Sequence, residues 1–118
     1  MKKILICEDE KDLQKIFKFV LSKEKHQLFS AEDGKKAIDK ARKIKPDLIL
    51  LDIRMPKIDG LEAAKEIRKF NKEAKIIFLT AFEGPEILKE ASKYDIFDYI
   101  VKTAPMEKIM SVIQEALK

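Results

Sequence analysis

Acidic, hydroxyl and ammonium side chains follow four short apolar runs of this 118-residue sequence. Glu8 and Asp9 come directly after the first run, and Asp52 comes directly after the second. Thr80 and Lys102 stand at the ends of two later runs. If the four runs are neighbouring parallel strands, their carboxyl ends share one edge, which is where open α/β sheets place ligand sites. The spacing therefore predicts one pocket that contains three acids, a hydroxyl and an ammonium group.

Such a group of side chains is suited to phosphoryl chemistry. Three neighbouring carboxylates repel one another and raise at least one pKa unless a cation neutralises them. Mg²⁺ suits an all-oxygen site and keeps positions open for water or phosphate oxygens. A carboxylate can attack phosphorus to form an acyl phosphate, a role for which Asp52 is well placed. Lys102 could then pair with one phosphoryl oxygen, and the Thr80 hydroxyl could donate to another.

Each of these residues also has an ordinary structural interpretation. An Asp after a strand often caps a helix, a Thr at a strand end is often only a β-former, and Lys102 could be a solvated loop residue. For any one of these residues taken alone, the structural interpretation would be preferred. The joint order of acid pair, acid, hydroxyl and lysine after four successive runs favours a shared site.

Strand-like apolar runs alternate five times with amphipathic segments of helical length, which predicts βα units and a parallel sheet. Residues 4–7, 48–51 and 76–79 are almost wholly apolar, as strands covered on both faces require. Residues 27–30 and 96–101 are more polar and are predicted as edge strands. Right-handed crossovers then favour a five-stranded, doubly wound (βα)5 sheet in the order 2-1-3-4-5, as in flavodoxin-like folds.

Helical periodicity predicts which faces of the connecting segments are buried. Asp33-Gly34 and Asp59-Gly60 are turn signals at two of the helix starts. The helix expected over residues 85–93 has the weakest apolar face and is predicted to be the most mobile. The apolar stripes are Leu13, Ile16, Phe17, Val20 and Leu21; Ala37, Ile38, Ala41 and Ile44; Gly60, Ala63, Ala64, Ile67 and Phe70; and Ile109, Val112, Ile113, Ala116 and Leu117.

Composition restricts the class of protein. A chain of 118 residues with 46% apolar and 39% charged residues predicts one globular domain over 1–118 with no output domain. No apolar stretch reaches the roughly 18 to 20 residues of a membrane span, and no secretory signal is visible, so we expect a cytoplasmic protein without a membrane partner. The single cysteine, Cys7, excludes an internal disulfide. The net charge of +4 arises from interleaved lysines and acids, which indicates solvated faces and no nucleic-acid partner.

The residues around the predicted site resemble those of a known family. The matching segments are Ile4 to Glu10, Pro46 to Pro56 with Asp59-Gly60, Leu79-Thr80-Ala81, and Asp98 to Lys102. Over its whole length the chain resembles the receiver domain of two-component response regulators, of the stand-alone type found in chemotaxis and sporulation phosphorelays.

The resemblance implies roles for the site residues. Asp52 would accept a phosphoryl group from a phosphohistidine on a sensor histidine kinase or a histidine phosphotransfer protein. Mg²⁺ would be held by Asp9 and Asp52, by Glu8 through water, and by the backbone carbonyl of Arg54. Lys102 would complete the phosphoryl contacts.

The resemblance also implies how the signal is passed on. Thr80 and Tyr99 would form a switch pair that reshapes the surface of the fourth helix, fifth strand and fifth helix for a protein partner. The chain would be a signalling switch and no conventional enzyme, although it takes part in phosphoryl transfer to its own Asp52 and in autodephosphorylation. We expect a monomer, with a phosphorylation-linked dimer as the alternative.

The chain departs from the family pattern in three places. Lys102 is followed by Thr103, where the family usually has a cis proline, and a non-proline cis bond costs about 3 kcal/mol. Asp95 stands where glycine is common, so a left-handed turn there would carry strain. Arg54 and Phe82 lie at the mouth of the site, where we predict that they shield the acyl phosphate from water.

Other functions remain as alternatives at this point. The altered Lys102-Thr103 pair motivates a non-phosphorylated adaptor, although the intact acid triad argues against it. A small aspartyl-phosphate phosphatase would need an acid two residues after Asp52, where Arg54 stands. A nucleic-acid binder would need a recognition helix or an aromatic platform. His26 is interpreted as a surface residue at the start of an edge strand and not as a phosphohistidine.

Overall fold

Strands and helices alternate along the chain in the computed structural model, which describes residues 1–81 and 84–118. The strands are β1 (Lys3–Cys7), β2 (Gln27–Ala31), β3 (Leu48–Leu51), β4 (Lys75–Thr80) and β5 (Asp98–Val101). The helices are α1 (Lys11–Leu21), α2 (Gly34–Ile44), α3 (Gly60–Arg68), α4 (Pro85–Ser92) and α5 (Met106–Ala116).

The five strands form one parallel sheet in the order β2-β1-β3-β4-β5. This confirms the predicted flavodoxin-like, doubly wound topology. The two polar strands stand at the edges, as predicted, although β5 begins two residues later than the expected range 96–101. Because β1, β3, β4 and β5 are successive neighbours, the residues that follow them lie along one edge of the sheet.

Both faces of the sheet are covered by helices, as the apolar strands require. One core contains Leu5, Ile49 and Phe78 from the strands, packed with residues of α2, α3 and α4. The other contains Ile4 and Leu50, packed with residues of α1 and α5. The alternation of successive strand residues between the two cores follows from the two-residue period of a strand.

Two of the predicted apolar stripes are narrower than expected. Ile16 is 47% exposed and Phe70 is 36% exposed. Phe17 and Leu21 are buried against the sheet, and Ile16 lies about 100° around the helix from Phe17, outside this contact. Phe70 lies beyond Arg68, the last residue of α3, and so leaves the face on which Ile67 is buried.

Helix α4 makes the smallest contribution to the core. Ala91 is its buried residue, and Leu88 is 47% exposed. Ile87 of this helix packs partly buried against the core, as do Tyr94 and Tyr99. The predicted mobility of this helix stays a prediction. Within the described part of the chain, no helix has the length and apolar character to cross a membrane.

The turn between α4 and β5 has the left-handed backbone that the sequence suggested. Asp95 has a φ of 54°. The Arg68 guanidinium holds this turn, since it donates to the carbonyl oxygens of Tyr94 at 2.8 Å, Asp95 at 2.8 Å and Asn71 at 3.1 Å. One side chain at the end of α3 therefore fixes the start of the path into β5.

Candidate functional site

Three carboxylates meet at the carboxyl edge of the sheet. Glu8 and Asp9 follow β1, and Asp52 follows β3. Since Cys7 pairs with Leu51, the residues after these two strands lie side by side. The structure brings the carboxylate oxygens of Glu8, Asp9 and Asp52 within 4.8 Å of one another.

Lys102 reaches this cluster from the end of β5. Its Nζ lies 2.8 Å from Glu8 Oε1 and 3.0 Å from Asp52 Oδ2. Its backbone N–H donates to the Thr80 carbonyl at 2.7 Å, which ties the loop to the end of β4. Within residues 1–81 and 84–118 there is no cis peptide bond, so the bond between Lys102 and Thr103 is trans. The missing proline thus does not prevent Lys102 from contacting both acids.

Burial and mutual charge shift the pKa values of these groups. Glu8 is 2% exposed and Asp52 is 4% exposed. Burial raises the pKa of Glu8 to about 7, and the charge of Asp52 adds to this, while the hydrogen bond from Lys102 opposes it. Burial likewise raises the pKa of Asp52, again opposed by Lys102. Burial alone would lower the pKa of Lys102, but its contacts with the two acids raise it. Because two carboxylates are buried close together, the cluster favours a cation beside them.

Hydrogen bonds fix the orientation of the acids. Glu8 Oε2 accepts from the Glu10 N–H at 3.1 Å, and Asp52 Oδ1 accepts from the Arg54 N–H at 3.3 Å. The Gln14 side-chain amide donates to the carbonyl oxygen of Glu8. Sequence reasoning missed Gln14; a polar side chain in the first turn of the helix after the acid pair is the signal that could have suggested it.

Glycine allows α3 to begin directly against the backbone of Asp52. A Cβ at position 60 would overlap the Asp52 carbonyl oxygen and crowd Ile53 Cα. The Gly60 N–H donates to the Ile53 carbonyl at 2.6 Å, and the Asp59 side chain caps the helix by accepting from the Glu62 N–H at 2.9 Å. The predicted Asp59-Gly60 turn therefore holds the loop after β3 in place.

The remaining predicted residues differ in their exposure. Thr80 is fully buried at the end of β4, and Tyr99 in β5 is half-buried against the core. Arg54 is exposed at the mouth of the site. Phe82 lies outside the described residues.

The carboxylate oxygens of the acid cluster match the ligands that Mg²⁺ prefers. Glu8, Asp9 and Asp52 offer only oxygen ligands, and a divalent cation would offset the burial and the mutual repulsion that raise the pKa values of Glu8 and Asp52. Mg²⁺ prefers oxygen ligands and is commonly held by one or two carboxylates. The residues present therefore fit an acidic Mg²⁺ site of the kind expected from the sequence.

Comparison with known proteins agrees with the family resemblance found in the sequence. Residues 4–114 match the family model described as the response regulator receiver domain. The chemotaxis protein CheY of Thermotoga maritima is 30% identical over 118 residues, which cover 99% of this chain and 98% of that protein. The regulatory protein AtoC of Escherichia coli is 31% identical over 98% of this chain, which spans only 25% of AtoC.

A solved structure agrees with the sequence relatives. The response regulator protein TrrA from Thermotoga maritima, in complex with Mg(2+)-BeF, has a TM-score of 0.86 and 36% identity, and the match covers 98% of this chain and 99% of that one. The fold, the family match over residues 4–114 and the full-length similarity to CheY show that this chain belongs to the response regulator receiver domains, the signalling switches of two-component systems.

Proposed function

We propose that Asp52 is the phosphoacceptor of this receiver domain and that the donor is a phosphohistidine on a sensor histidine kinase or a histidine phosphotransfer protein. The observation that carries the proposal is the position of the Asp52 carboxylate. It lies within the acid cluster and also 3.0 Å from Lys102 Nζ. The Asp52 carboxylate thus lies beside both the acids that could bind a cation and the ammonium group of Lys102.

The transfer step follows from these positions. A carboxylate oxygen of Asp52 attacks phosphorus, a new P–O bond forms, and the P–N bond to the donor histidine breaks with its electron pair returning to the ring nitrogen. Lys102 stays beside the new phosphoryl group as a point charge, and the Thr80 hydroxyl donates to another phosphoryl oxygen. When bound by Asp9 and Asp52, by Glu8 through water and by the Arg54 carbonyl, Mg²⁺ would offset the charge on the phosphoryl oxygens.

Thr80 and Tyr99 are proposed as the switch pair. Thr80 ends β4, and Tyr99 lies in β5, the strand beside it. Movement of Thr80 toward the phosphoryl group would leave space into which the half-buried Tyr99 ring can turn. The proposed result is a changed surface of α4, β5 and α5 for a protein partner, with the chain acting as a monomer.

Autodephosphorylation is proposed to be slow because the mouth of the site is shielded. Arg54 is exposed there, and its backbone N–H contacts Asp52 directly. We expect Arg54→Ala to shorten the lifetime of the acyl phosphate several-fold, since a long side chain would be replaced by a methyl group. The lifetime is measured by intact mass after the phosphodonor has been removed. An unchanged lifetime would contradict shielding by Arg54; the control is Lys43→Ala, an exposed cation in the last turn of α2, away from the site.

Phosphoramidate tests the proposed acceptor chemistry, because its P–N bond resembles that of phosphohistidine. We expect one phosphoryl group to be added in the presence of Mg²⁺, and none when EDTA is present or in Asp52→Asn. A control receiver domain shows that the donor is active. If no phosphoryl group is added even in rapidly quenched samples, the alternative of a non-phosphorylated adaptor, motivated by Thr103, becomes the better account.

A further inference from the structure

A cavity lies at the amino edge of the sheet, away from the acid cluster. Its volume is about 630 Å³, within the size range of small-molecule sites. Asp47, which lines it, comes just before β3, while Asp52 comes just after that strand. The length of the strand places the two ends about 16 Å apart. The cavity is therefore separate from the phosphorylation site.

Positive charge is concentrated around this cavity. Six cationic side chains line it, against two acids, Asp47 and Glu73. The whole chain has 25 Lys and Arg and 21 Asp and Glu, so 19 of each remain elsewhere and balance. The cavity thus accounts for the entire net charge of +4. The six are Lys2, Arg42, Lys45, Lys72, Lys75 and Lys118.

Most of these cations form no close ion pair within the described residues. Lys118 pairs with Glu115 at 3.3 Å. Across residues 1–81 and 84–118, the other five form no ion pair, although surface lysines elsewhere in the chain often do. Cations near helix ends also stabilise helices, and this can explain Arg42 and Lys45 at the end of α2. Lys75 Nζ lies 5.3 Å from the centroid of the Phe97 ring, a contact that can account for this side chain. Neither explanation applies to Lys2 before β1 or to Lys72 in the loop before β4.

The wall of the cavity also offers a flat surface. The Arg42 guanidinium carbon lies 4.7 Å from the centroid of the Phe70 ring. Phe70 is 36% exposed although it is a large aromatic side chain. Stacked arginine and aromatic planes are the groups on which nucleic-acid bases stack in other proteins. Lysine and arginine cations, in turn, recognise phosphate oxygens.

We propose that this cavity is a second ligand site, which binds a polyphosphate anion at the edge of the sheet opposite Asp52. The phosphates contact the unpaired lysines. A nucleoside polyphosphate would in addition place its base on the Arg42–Phe70 pair, whereas inorganic polyphosphate would use the lysines alone.

The test measures binding of ATP and of inorganic triphosphate by calorimetry, in EDTA and at about 0.15 M salt, which limits long-range attraction. Without Mg²⁺ the acid cluster repels polyphosphate, so this binding reports the cavity. Arg42→Glu/Lys72→Glu should weaken binding of both ligands at least tenfold. The matched control, Lys15→Glu/Lys89→Glu, changes the net charge equally on α1 and α4 and should weaken it less than twofold.

A single substitution separates the two sources of the ligand. Phe70→Ala should weaken ATP several-fold and leave triphosphate unchanged if a nucleoside is bound. Equal affinity for both ligands, unaffected by Phe70→Ala, assigns the site to inorganic polyphosphate.

The unaltered chain gives a readout that does not depend on whether a variant folds. Backbone amide shifts on addition of triphosphate should be largest at residues that line the cavity, such as Lys2, Lys45 and Lys72, and small around Asp52. Equal loss of binding in the control variant, shifts scattered over all surface lysines, or no binding of either ligand would each overturn the proposal.

Discussion

At Glu8, burial and the contacts of the carboxylate have opposite effects on its charge. It is buried beside Asp52, yet its carboxylate receives an ammonium group at 2.8 Å and a backbone N–H at 3.1 Å. These contacts oppose the effect of burial without cancelling it, because the pKa of Glu8 is still raised to about 7. In the absence of a divalent cation, Glu8 is therefore expected to hold a proton to much higher pH than a free glutamate.

This raised pKa has a consequence for stability without metal. Between pH 4.5 and about 7 the folded state keeps a proton on Glu8 that the unfolded chain releases. The free energy of unfolding should therefore fall as the pH rises through this window, by on the order of 1 to 3 kcal/mol. Urea unfolding in EDTA at several pH values measures it. Glu8→Gln should flatten the slope, and a native chain that gains stability over this range would contradict the prediction.

At the scale of the elements, two backbone features position the site. The start of α3 is packed on the backbone of Asp52, and Gly60 makes this approach possible. The path into β5, which leads to Lys102, begins at the left-handed residue Asp95, under the guanidinium of Arg68. The turn dipeptide Asp59-Gly60 could be recognised in the sequence. The role of Arg68 could not, because two of its three carbonyl acceptors lie 26 and 27 residues away along the chain and leave no local pattern.

Gly60→Ala should disturb the loop that holds Asp52. The added methyl group would overlap the Asp52 carbonyl, so either α3 or the loop must shift. We expect a loss of about 2 to 4 kcal/mol in the free energy of unfolding, typical of severe overpacking or strain. Chemical denaturation measures it, with Lys65→Ala on the exposed face of α3 as the control. A loss below that of the control would show that the loop adapts freely.

Asp95→Gly should stabilise the chain slightly. A left-handed backbone is strained for residues with a Cβ, and glycine removes this strain at some cost in the entropy of the unfolded chain. We expect a net gain of about 0.5 kcal/mol. Lys93→Gly, at a φ of −67°, is the matched control and should destabilise the chain. Thermal unfolding compares the two; equal losses in both variants would contradict the strain at Asp95.

At the scale of the whole molecule, the sheet order and the meeting of the acids with Lys102 could be predicted from sequence. Apolar runs of strand length identify buried strands, and parallel topology then fixes which residues share an edge. The distribution of charge could not be predicted. Lys2, Arg42, Lys72 and Lys118 are far apart in the sequence and look interleaved with acids, yet the fold gathers them around one cavity.

The exposure of Ile16 and Phe70 shows a second limit of the sequence pattern. Periodicity predicts the apolar side of a helix, but it does not tell how wide a strip the neighbouring elements cover. In α1 the covered strip includes Phe17 and Leu21 and ends before Ile16. In α3 the helix itself ends before Phe70. Burial at the margins of a stripe therefore depends on the tertiary structure.

The most direct test of the account is to locate the phosphoryl group. The chain is phosphorylated with phosphoramidate and Mg²⁺, the acyl phosphate is reduced with borohydride, and the modified residue is found by peptide mass spectrometry. The account predicts modification at Asp52 alone, and none at Asp9, Glu8 or His26. Modification of another residue while Asp52 stays unmodified would contradict the central claim that the buried carboxylate beside Lys102 is the phosphoacceptor.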